Sequence, residues 1–316
     1  MSYNLVESTL NHMGRRQFRS KGRGTLWASE ASVEFTNEFN ESQVTGKCKR
    51  SVWYRLKKVE PTNPPGAKSQ MLFLFGNMIE DQVTEIWKQM GIWENNSVRW
   101  EDRRRNLSGE FDVILRNPDT DKLFGVEVKS FYGYHANKKI LGHWSGRGAN
   151  KRFVQGSPKD EHLMQAAIYA DQAHGDLDGF MVVYVSRDNN QMQQFHIQVP
   201  DPVRKFILIN GVQETRFTVN DIYNRYELLN SLADQNVPPT PDYTQFPSDM
   251  RVQQLFERGD IAKTAYEKHT SNKERYQDFH CSYCDFKDYC SGPLGDSPIV
   301  EENTEPAPDH MQHGGL

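Results

Sequence analysis

The sequence predicts an α/β protein with a mixed central sheet flanked by helices, and three stretches carry that expectation. Residues 108 to 129 read as a β-hairpin. Asp112 and Ile114 alternate with Phe111, Val113 and Leu115 in one arm, and Val126 and Val128 alternate with Glu127 and Lys129 in the other. The run Asn117-Pro118-Asp119-Thr120-Asp121 supplies the turn. Residues 179 to 187 are almost wholly apolar, as a central strand covered on both faces would be. Residues 69 to 90 place Phe75, Ile79, Val83, Ile86, Trp87 and Met90 at three- and four-residue steps, the period of a helix, with Gly91 where a C-cap belongs. Helix, hairpin, helix, strand, strand is the order of a layered α/β domain.

In chain order, residues 1 to 28 form a basic arm with Arg15, Arg16, Arg19, Lys21 and Arg23 among glycines. Residues 29 to 66 are expected to be helical. Val52, Trp53, Tyr54 and Leu56 make an apolar face there, and Lys49, Arg50, Arg55, Lys57 and Lys58 point outward. Pro61-Thr-Asn-Pro-Pro-Gly66 then breaks the chain. A core spans residues 67 to 236. Within it, residues 130 to 159 hold no acid but carry Lys138, Lys139, Arg147, Lys151, Arg152 and Lys159 among glycines, tyrosines and Trp144, which reads as a mobile basic loop for a nucleic-acid backbone. A helix over residues 160 to 171 puts His162, Gln165 and Tyr169 on one face and Leu163, Ala166, Ala167 and Ala170 in position for close packing. A strand at 194 to 199 and a helix at 219 to 232 complete the core. Residues 237 to 291 form a C-terminal helical segment with a cysteine array, and the acidic, Pro- and Gly-rich residues 292 to 316 read as a disordered tail.

The charge pattern narrows the chemistry. Glu127 and Lys129 share a face of one arm, and Asp112 can be brought beside them from the other. Two acids from adjacent strands suit a hard cation such as Mg²⁺, which keeps waters and leaves room for a phosphate oxygen. A lysine beside them can orient an attacking water. Glu80 lies on the polar side of the preceding helix, with Gly76 four residues earlier, where a missing side chain admits close approach. A net charge of −4 argues against a protein that coats nucleic acid, though not against a local basic channel. No apolar run approaches the length of a membrane span, and the N-terminus lacks the pattern of a secretory signal, so an intracellular, cytoplasmic protein is expected.

Cysteine usage gives the second signal. Of four cysteines, Cys281, Cys284 and Cys290 form a C-x2-C-x5-C array, and Cys48 stands far upstream. Four thiolates are what tetrahedral zinc or an iron-sulfur cluster needs, and spacing alone leaves both open. Either would clasp the two ends of the chain.

Gly76-x-x-x-Glu80, Gly109-x-x-Asp112, Glu127-Val-Lys129 and Gln165-x-x-x-Tyr169 occur in the order and approximate spacing of the RecB-type branch of the PD-(D/E)xK nucleases. With Cys48 and the C-terminal array, the chain resembles the iron-sulfur subclass of that branch over residues 29 to 291. That subclass includes the RecB-like nuclease of CRISPR adaptation and the AddB nuclease domain. The resemblance implies a restriction-endonuclease-like core and a metal-dependent DNA exonuclease acting on single-stranded ends in recombination, repair or a CRISPR- or phage-associated pathway, with partners from such a complex. Asp112 and Glu127, with Glu80, would bind Mg²⁺ or Mn²⁺. Lys129 would serve the water, and Gln165 with Tyr169 would support the site. Cys48, Cys281, Cys284 and Cys290 would hold a [4Fe-4S] cluster, with zinc as the alternative. The subclass commonly has His at the position of Glu80, and Phe111 replaces the proline of the nominal Pro-Asp pair. Two rival readings are a site-specific endonuclease of the same superfamily and a non-catalytic, zinc-containing DNA-binding or assembly protein.

Overall fold

A computed structural model describes residues 5–15, 24–37, 40–173, 175–257 and 261–291. Helix α1 (Leu5–Arg15) is followed by β1 (Leu26–Trp27), the ribbon of β2 (Ser32–Thr36) and β3 (Ser42–Gly46), α2 (Lys49–Leu56) and the long α3 (Ala67–Gln89). Next come β4 (Trp93–Asp102), β5 (Leu107–Arg116), β6 (Leu123–Phe131), α4 (Tyr134–Leu141) and a small hairpin of β7 (His143–Ser145) and β8 (Arg152–Val154). Helix α5 (Asp160–Gln172) leads to β9 (Phe180–Ser186), β10 (Met192–Gln198), β11 (Leu208–Ile209), β12 (Val212–Gln213) and α6 (Val219–Asp234). Four short helices close the described chain: α7 (Asp249–Glu257), α8 (Lys263–Thr270), α9 (Phe279–Ser282) and α10 (Lys287–Ser291).

Among the described residues eight strands make one mixed sheet in the order β1-β5-β6-β9-β10-β11-β12, with β4 paired to β5. The hairpin neighbours β4, β5 and β6 are antiparallel, whereas β6 and β9 are parallel because α5 carries the chain back across the sheet. Burial along β5 alternates, but its faces exchange across Asp112, with Leu107 and Phe111 in one core cluster and Val113 and Leu115 in the other. Leu107, Phe111, Val113 and Leu115 are buried, and Asp112, Ile114 and Arg116 are less so. On one face, Leu107, Phe111, Phe131, Phe180 and Tyr184 pack on Leu163, Ala166 and Ala167 of α5, and the same core takes in Ile222 and Tyr226 of α6 and Val52, Trp53 and Tyr54 of α2. On the other face, Val113, Leu115, Val126, Val128 and Val183 meet Trp87 of α3. The layered α/β expectation is met.

Several expectations need correction. Residues 29 to 58 are not helical throughout, since 32–46 form the ribbon β2–β3. Val33 is buried, Glu34 exposed and Phe35 half-buried, a period of two in a stretch too short to separate from a helical one by pattern. Arg50 turns inward instead of outward, and its Nε donates to the Pro239 carbonyl at 2.6 Å. Residues 130–159 are an ordered helix and hairpin. Gly142 and Gly156 permit it: a Cβ at Gly156 would lie 1.9 Å from the Ile140 carbonyl oxygen. Gly76 is not needed for close approach, because the nearest atom to a Cβ there is Ser130 Oγ at 4.0 Å. On α3, Val83 is buried, but Phe75, Ile86 and Met90 are exposed along with Leu72, Leu74 and Met78. That helix is apolar on more than one side, so no single face can bury it all. Residues 5–15 of the expected arm are helix α1. Arg16, Arg19, Lys21 and Arg23 and the tail 292–316 lie outside the described residues. Among the described residues no helix is long and apolar enough to cross a membrane.

Candidate active site

Strands β5 and β6 pair from Arg116 opposite Leu123 as far as Val113 opposite Val126, and there the ladder ends. The next residue on β5 is Asp112 and the next on β6 is Glu127. In place of a ladder carbonyl, Asp112 Oδ2 accepts the Val128 N–H at 2.8 Å. Strand β6 remains fixed along its other edge, with Glu127 opposite Val182 and Lys129 opposite Tyr184 of β9. A carboxylate thus stands in a gap at the end of the hairpin ladder, anchored by the backbone it faces.

The Glu127 side chain is only 3% exposed. Its Oε1 accepts from Lys129 Nζ at 2.5 Å and from Gln165 Nε2 at 2.8 Å. Gln165 Nε2 also donates to the Tyr169 hydroxyl at 2.9 Å, so both amide hydrogens are committed and the carboxylate is held in one orientation. The Tyr169 ring is gripped by Phe111, Trp100 and Phe180 at centroid distances of 4.9, 5.9 and 5.1 Å. Gly109 is required here, because a Cβ would lie 2.7 Å from atoms of both Trp100 and Tyr169. Phe111, where the family pattern has proline, is therefore part of the wall around Tyr169.

The other Glu127 oxygen, Oε2, is buried without a hydrogen-bond partner among the described residues. Asp112 is pushed well above the usual carboxylate range by burial and by Glu127, with Glu80 adding to the effect and Lys129 opposing it. Glu80, on α3, is raised by burial and by Glu127. Burial works to lower Lys129, but Glu127, Asp112 and Glu80 outweigh it and raise its pKa. Three carboxylates in mutual electrostatic contact, with one buried oxygen unpartnered, form a site deficient in positive charge. Among the described residues no group of three or more Asp, Glu, His or Cys side chains is placed to hold a metal ion. Mg²⁺ is commonly held by one or two carboxylates with waters completing its shell, so the donor set here is of the right chemistry.

The basic residues expected to grip nucleic acid lie on two elements. Lys138 and Lys139 are exposed on α4, and Arg147, Lys151 and Arg152 are exposed about the β7–β8 hairpin. Lys151 Nζ stands 5.1 Å from the centre of the Trp144 ring, which itself packs edge-on against Phe153.

All four cysteines line one cavity of about 410 Å³. Cys48 caps the start of α2, and the other three come from α9, α10 and the turn between them. Cys284 Sγ accepts the Phe286 N–H at 3.4 Å. Burial pushes the Cys281 thiol up to about 12, with Asp278 and the other cysteines adding to it, and burial pushes Cys284 up to about 11. The two chain ends are also joined directly. Tyr54 packs on Phe286 and Tyr289 at 5.3 and 5.4 Å, and Arg55 bridges Glu30 and Asp285 at 3.1 and 2.8 Å.

No family model and no curated protein matches the chain. Among solved structures, one described as "Crystal structure of SSO0001" is similar at 13% identity over 83% of this chain and 98% of its own, with a TM-score of 0.37.

Asp112, Glu127, Lys129, Gln165, Tyr169 and Glu80 are thus brought together, and the four cysteines are gathered elsewhere. The sequence pattern places His162 on the Gln165 face without a role and Lys159 among the basic loop residues, but it does not single out Tyr184 or Lys47. His162 Nδ1 lies 2.8 Å from the Tyr184 hydroxyl. Period-two reading puts Tyr184 on the Glu127 and Lys129 side of the sheet only once the β6–β9 register is known, and the sequence does not supply that register.

Proposed function

We propose that the chain is a metal-dependent DNA exonuclease of the PD-(D/E)xK type, acting on single-stranded ends, with a [4Fe-4S] cluster held by Cys48, Cys281, Cys284 and Cys290. The observation that carries the nuclease reading is the buried, unpartnered Glu127 Oε2 beside Asp112 and Glu80, with Lys129 on the same carboxylate. When bound, a divalent cation there would polarise a phosphate oxygen and acidify water. Asp112, Glu127 and Glu80 are the residues to hold it. Lys129 orients the attacking water and offsets charge that builds on the phosphate. Gln165 fixes the Glu127 carboxylate, and Tyr169 fixes Gln165. Exposed Lys138, Arg147, Lys151 and Arg152, with Trp144, suit backbone contact and base stacking on a single strand.

The cysteine cavity supports the cluster reading. The donor chemistry is four thiols, one of whose sulfurs already receives a backbone N–H.

The test is hydrolysis of end-labelled linear and covalently closed circular single-stranded DNA with Mg²⁺ or Mn²⁺. An exonuclease degrades the linear form alone, and cutting of the circle would mean an endonuclease. If Asp112→Ala and Lys129→Ala leave the activity unchanged, it does not reside in this site. A colourless, anaerobically purified protein with stoichiometric zinc would refute the cluster.

A further inference from the structure

One helical turn ahead of Gln165 on α5 stands His162. Its Nδ1 lies 2.8 Å from the Tyr184 hydroxyl, which accepts the Lys159 N–H at 3.0 Å. With that N–H on one lone pair of the hydroxyl, the Tyr184 proton is free to go to Nδ1. The other ring nitrogen, Nε2, is then left as a donor. Tyr184 is the β9 residue opposite Lys129, so this pair is joined to the site through the sheet.

Three further lysines gather at the same place from separate elements. Lys47 follows Gly46 at the end of β3, and a Cβ at Gly46 would lie 2.7 Å from Met164 of α5. Thr45 Oγ1 donates to Asp160 Oδ2 at 3.1 Å, so the end of β3 is pressed against the start of α5. Lys139 lies on α4, and its carbonyl accepts the Ser157 N–H at 2.8 Å, two residues before Lys159. Lys159 is the N-cap of α5. Burial and then Lys129, Lys159, Lys47 and Lys139 hold His162 well below its usual pKa, which keeps the ring neutral. Of the two acids that open α5, Asp160 is engaged by Arg216 at 3.0 and 3.1 Å, and Glu161 is half-buried beside it. Among the described residues no salt bridge joins Lys47, Lys139 or Lys159 to a carboxylate, and Lys139 acts on Asp160 only through its charge. Like charges converging on a neutral ring repel one another, and an anion relieves that repulsion.

We propose that Lys47, Lys139, Lys159 and His162 form an anion subsite beside the acidic centre, which takes the phosphodiester adjacent to the one being cut. This rests on the nuclease reading of the neighbouring site. The three lysines supply charge, and the neutral imidazole supplies a directed Nε2–H. Lys129 marks the boundary, facing Glu127 on one side and this cluster on the other. The subsite positions the strand and takes no part in bond breaking.

Two measurements on the full chain test it. In the first, inorganic phosphate is titrated against protein labelled with ¹⁵N-histidine, and the His162 imidazole signal is assigned by its loss in His162→Gln. A saturable shift is expected in wild type, and none in the triple variant Lys47→Ala/Lys139→Ala/Lys159→Ala. In the second, anisotropy of a dye-labelled oligo-dT is followed from 50 to 200 mM salt. Each phosphate engaged on a single strand contributes a slope of about 0.7 in log affinity against log salt, so with one phosphodiester in the subsite wild type should lose about 2- to 3-fold more affinity over this range than the triple variant. The triple Lys→Arg variant should keep the wild-type slope, and circular dichroism melts check that each variant is folded.

An unchanged slope in a folded alanine variant overturns the assignment to DNA. Cleavage of end-labelled DNA with no phosphate-dependent shift and no change of slope removes the subsite and leaves the nuclease reading intact. A phosphate-dependent shift in a protein that neither binds nor cuts DNA removes the nuclease reading and leaves an anion site for another phosphate ligand.

Discussion

Replacing Asp112 by Asn should stabilise the protein when divalent cations are absent and abolish the advantage of adding them. The amide oxygen still accepts the Val128 N–H, now at 2.8 Å, so the backbone anchor survives while a buried charge beside Glu127 is removed. Each unit by which burial and neighbouring acids raise a carboxyl pKa corresponds to about 1.4 kcal/mol of unfavourable charge. Relieving one to two such units would gain about 1–3 kcal/mol. At roughly 2–4 °C per kcal/mol for a chain of this class, melting in EDTA should rise by about 2–12 °C. The sign follows from linkage. Asp112 and Glu80 have folded pKa values above their unfolded ones, so their contribution is most favourable below the unfolded pKa and is lost as pH rises through the folded one. The excess stability of Asp112→Asn should accordingly grow from the acid range toward neutrality. Adding Mn²⁺ at about a hundred times its dissociation constant should return ~2.7 kcal/mol to wild type and far less to the variant. Thermal melts of both proteins in EDTA and in Mn²⁺, at several pH values, are the assay. A variant that melts at or below wild type in EDTA, or that gains as much from Mn²⁺, would refute the reasoning.

Other outcomes follow from the same geometry. Lys129→Ala should lower the rate of DNA hydrolysis by about 10²-fold or more at saturating DNA, measured on end-labelled strands, because its charge is needed most as the phosphate gathers charge. Gly109→Ala should destabilise by about 1–3 kcal/mol in urea unfolding and displace Tyr169, since its Cβ would enter the 2.7 Å gap to both rings. Asp242→Ala should lower stability by about 3–5 kcal/mol, because it strips a buried Arg225 of its 2.5 Å partner and leaves the Lys49 N–H without its acceptor. Cys48→Ser should bleach the visible absorption of anaerobically purified protein while leaving a cooperative melt, as the Tyr54–Phe286 and Arg55–Asp285 contacts do not depend on the thiol.

Much of the fold could be read from residue order. The alternation in residues 108 to 129, the apolar run at 179 to 187 and the helical repeats at 160 to 171 and 219 to 232 each specify a local conformation through side-chain period, which is a property of the chain itself. Val33 and Phe35 carried the same kind of signal for β2, but over too few residues to outweigh a helical reading. On α3 the period was right and the burial was wrong. Phe75, Ile86 and Met90 are exposed, because which apolar face a helix buries depends on what packs against it.

The sequence by itself determined which residues could carry the chemistry: Asp112, Glu127, Lys129, Gln165 and Tyr169, and four cysteines in two distant places. Only the tertiary structure decided how they meet. The β5–β6 ladder stops at Val113 and Val126, so Asp112 turns to the Val128 N–H, and Gln165 reaches from α5 to lock one Glu127 oxygen while the other stays unpartnered. The parallel β6–β9 register sets Tyr184, and through it His162, beside Lys129. These are contacts between segments far apart in the chain, and no local period encodes them.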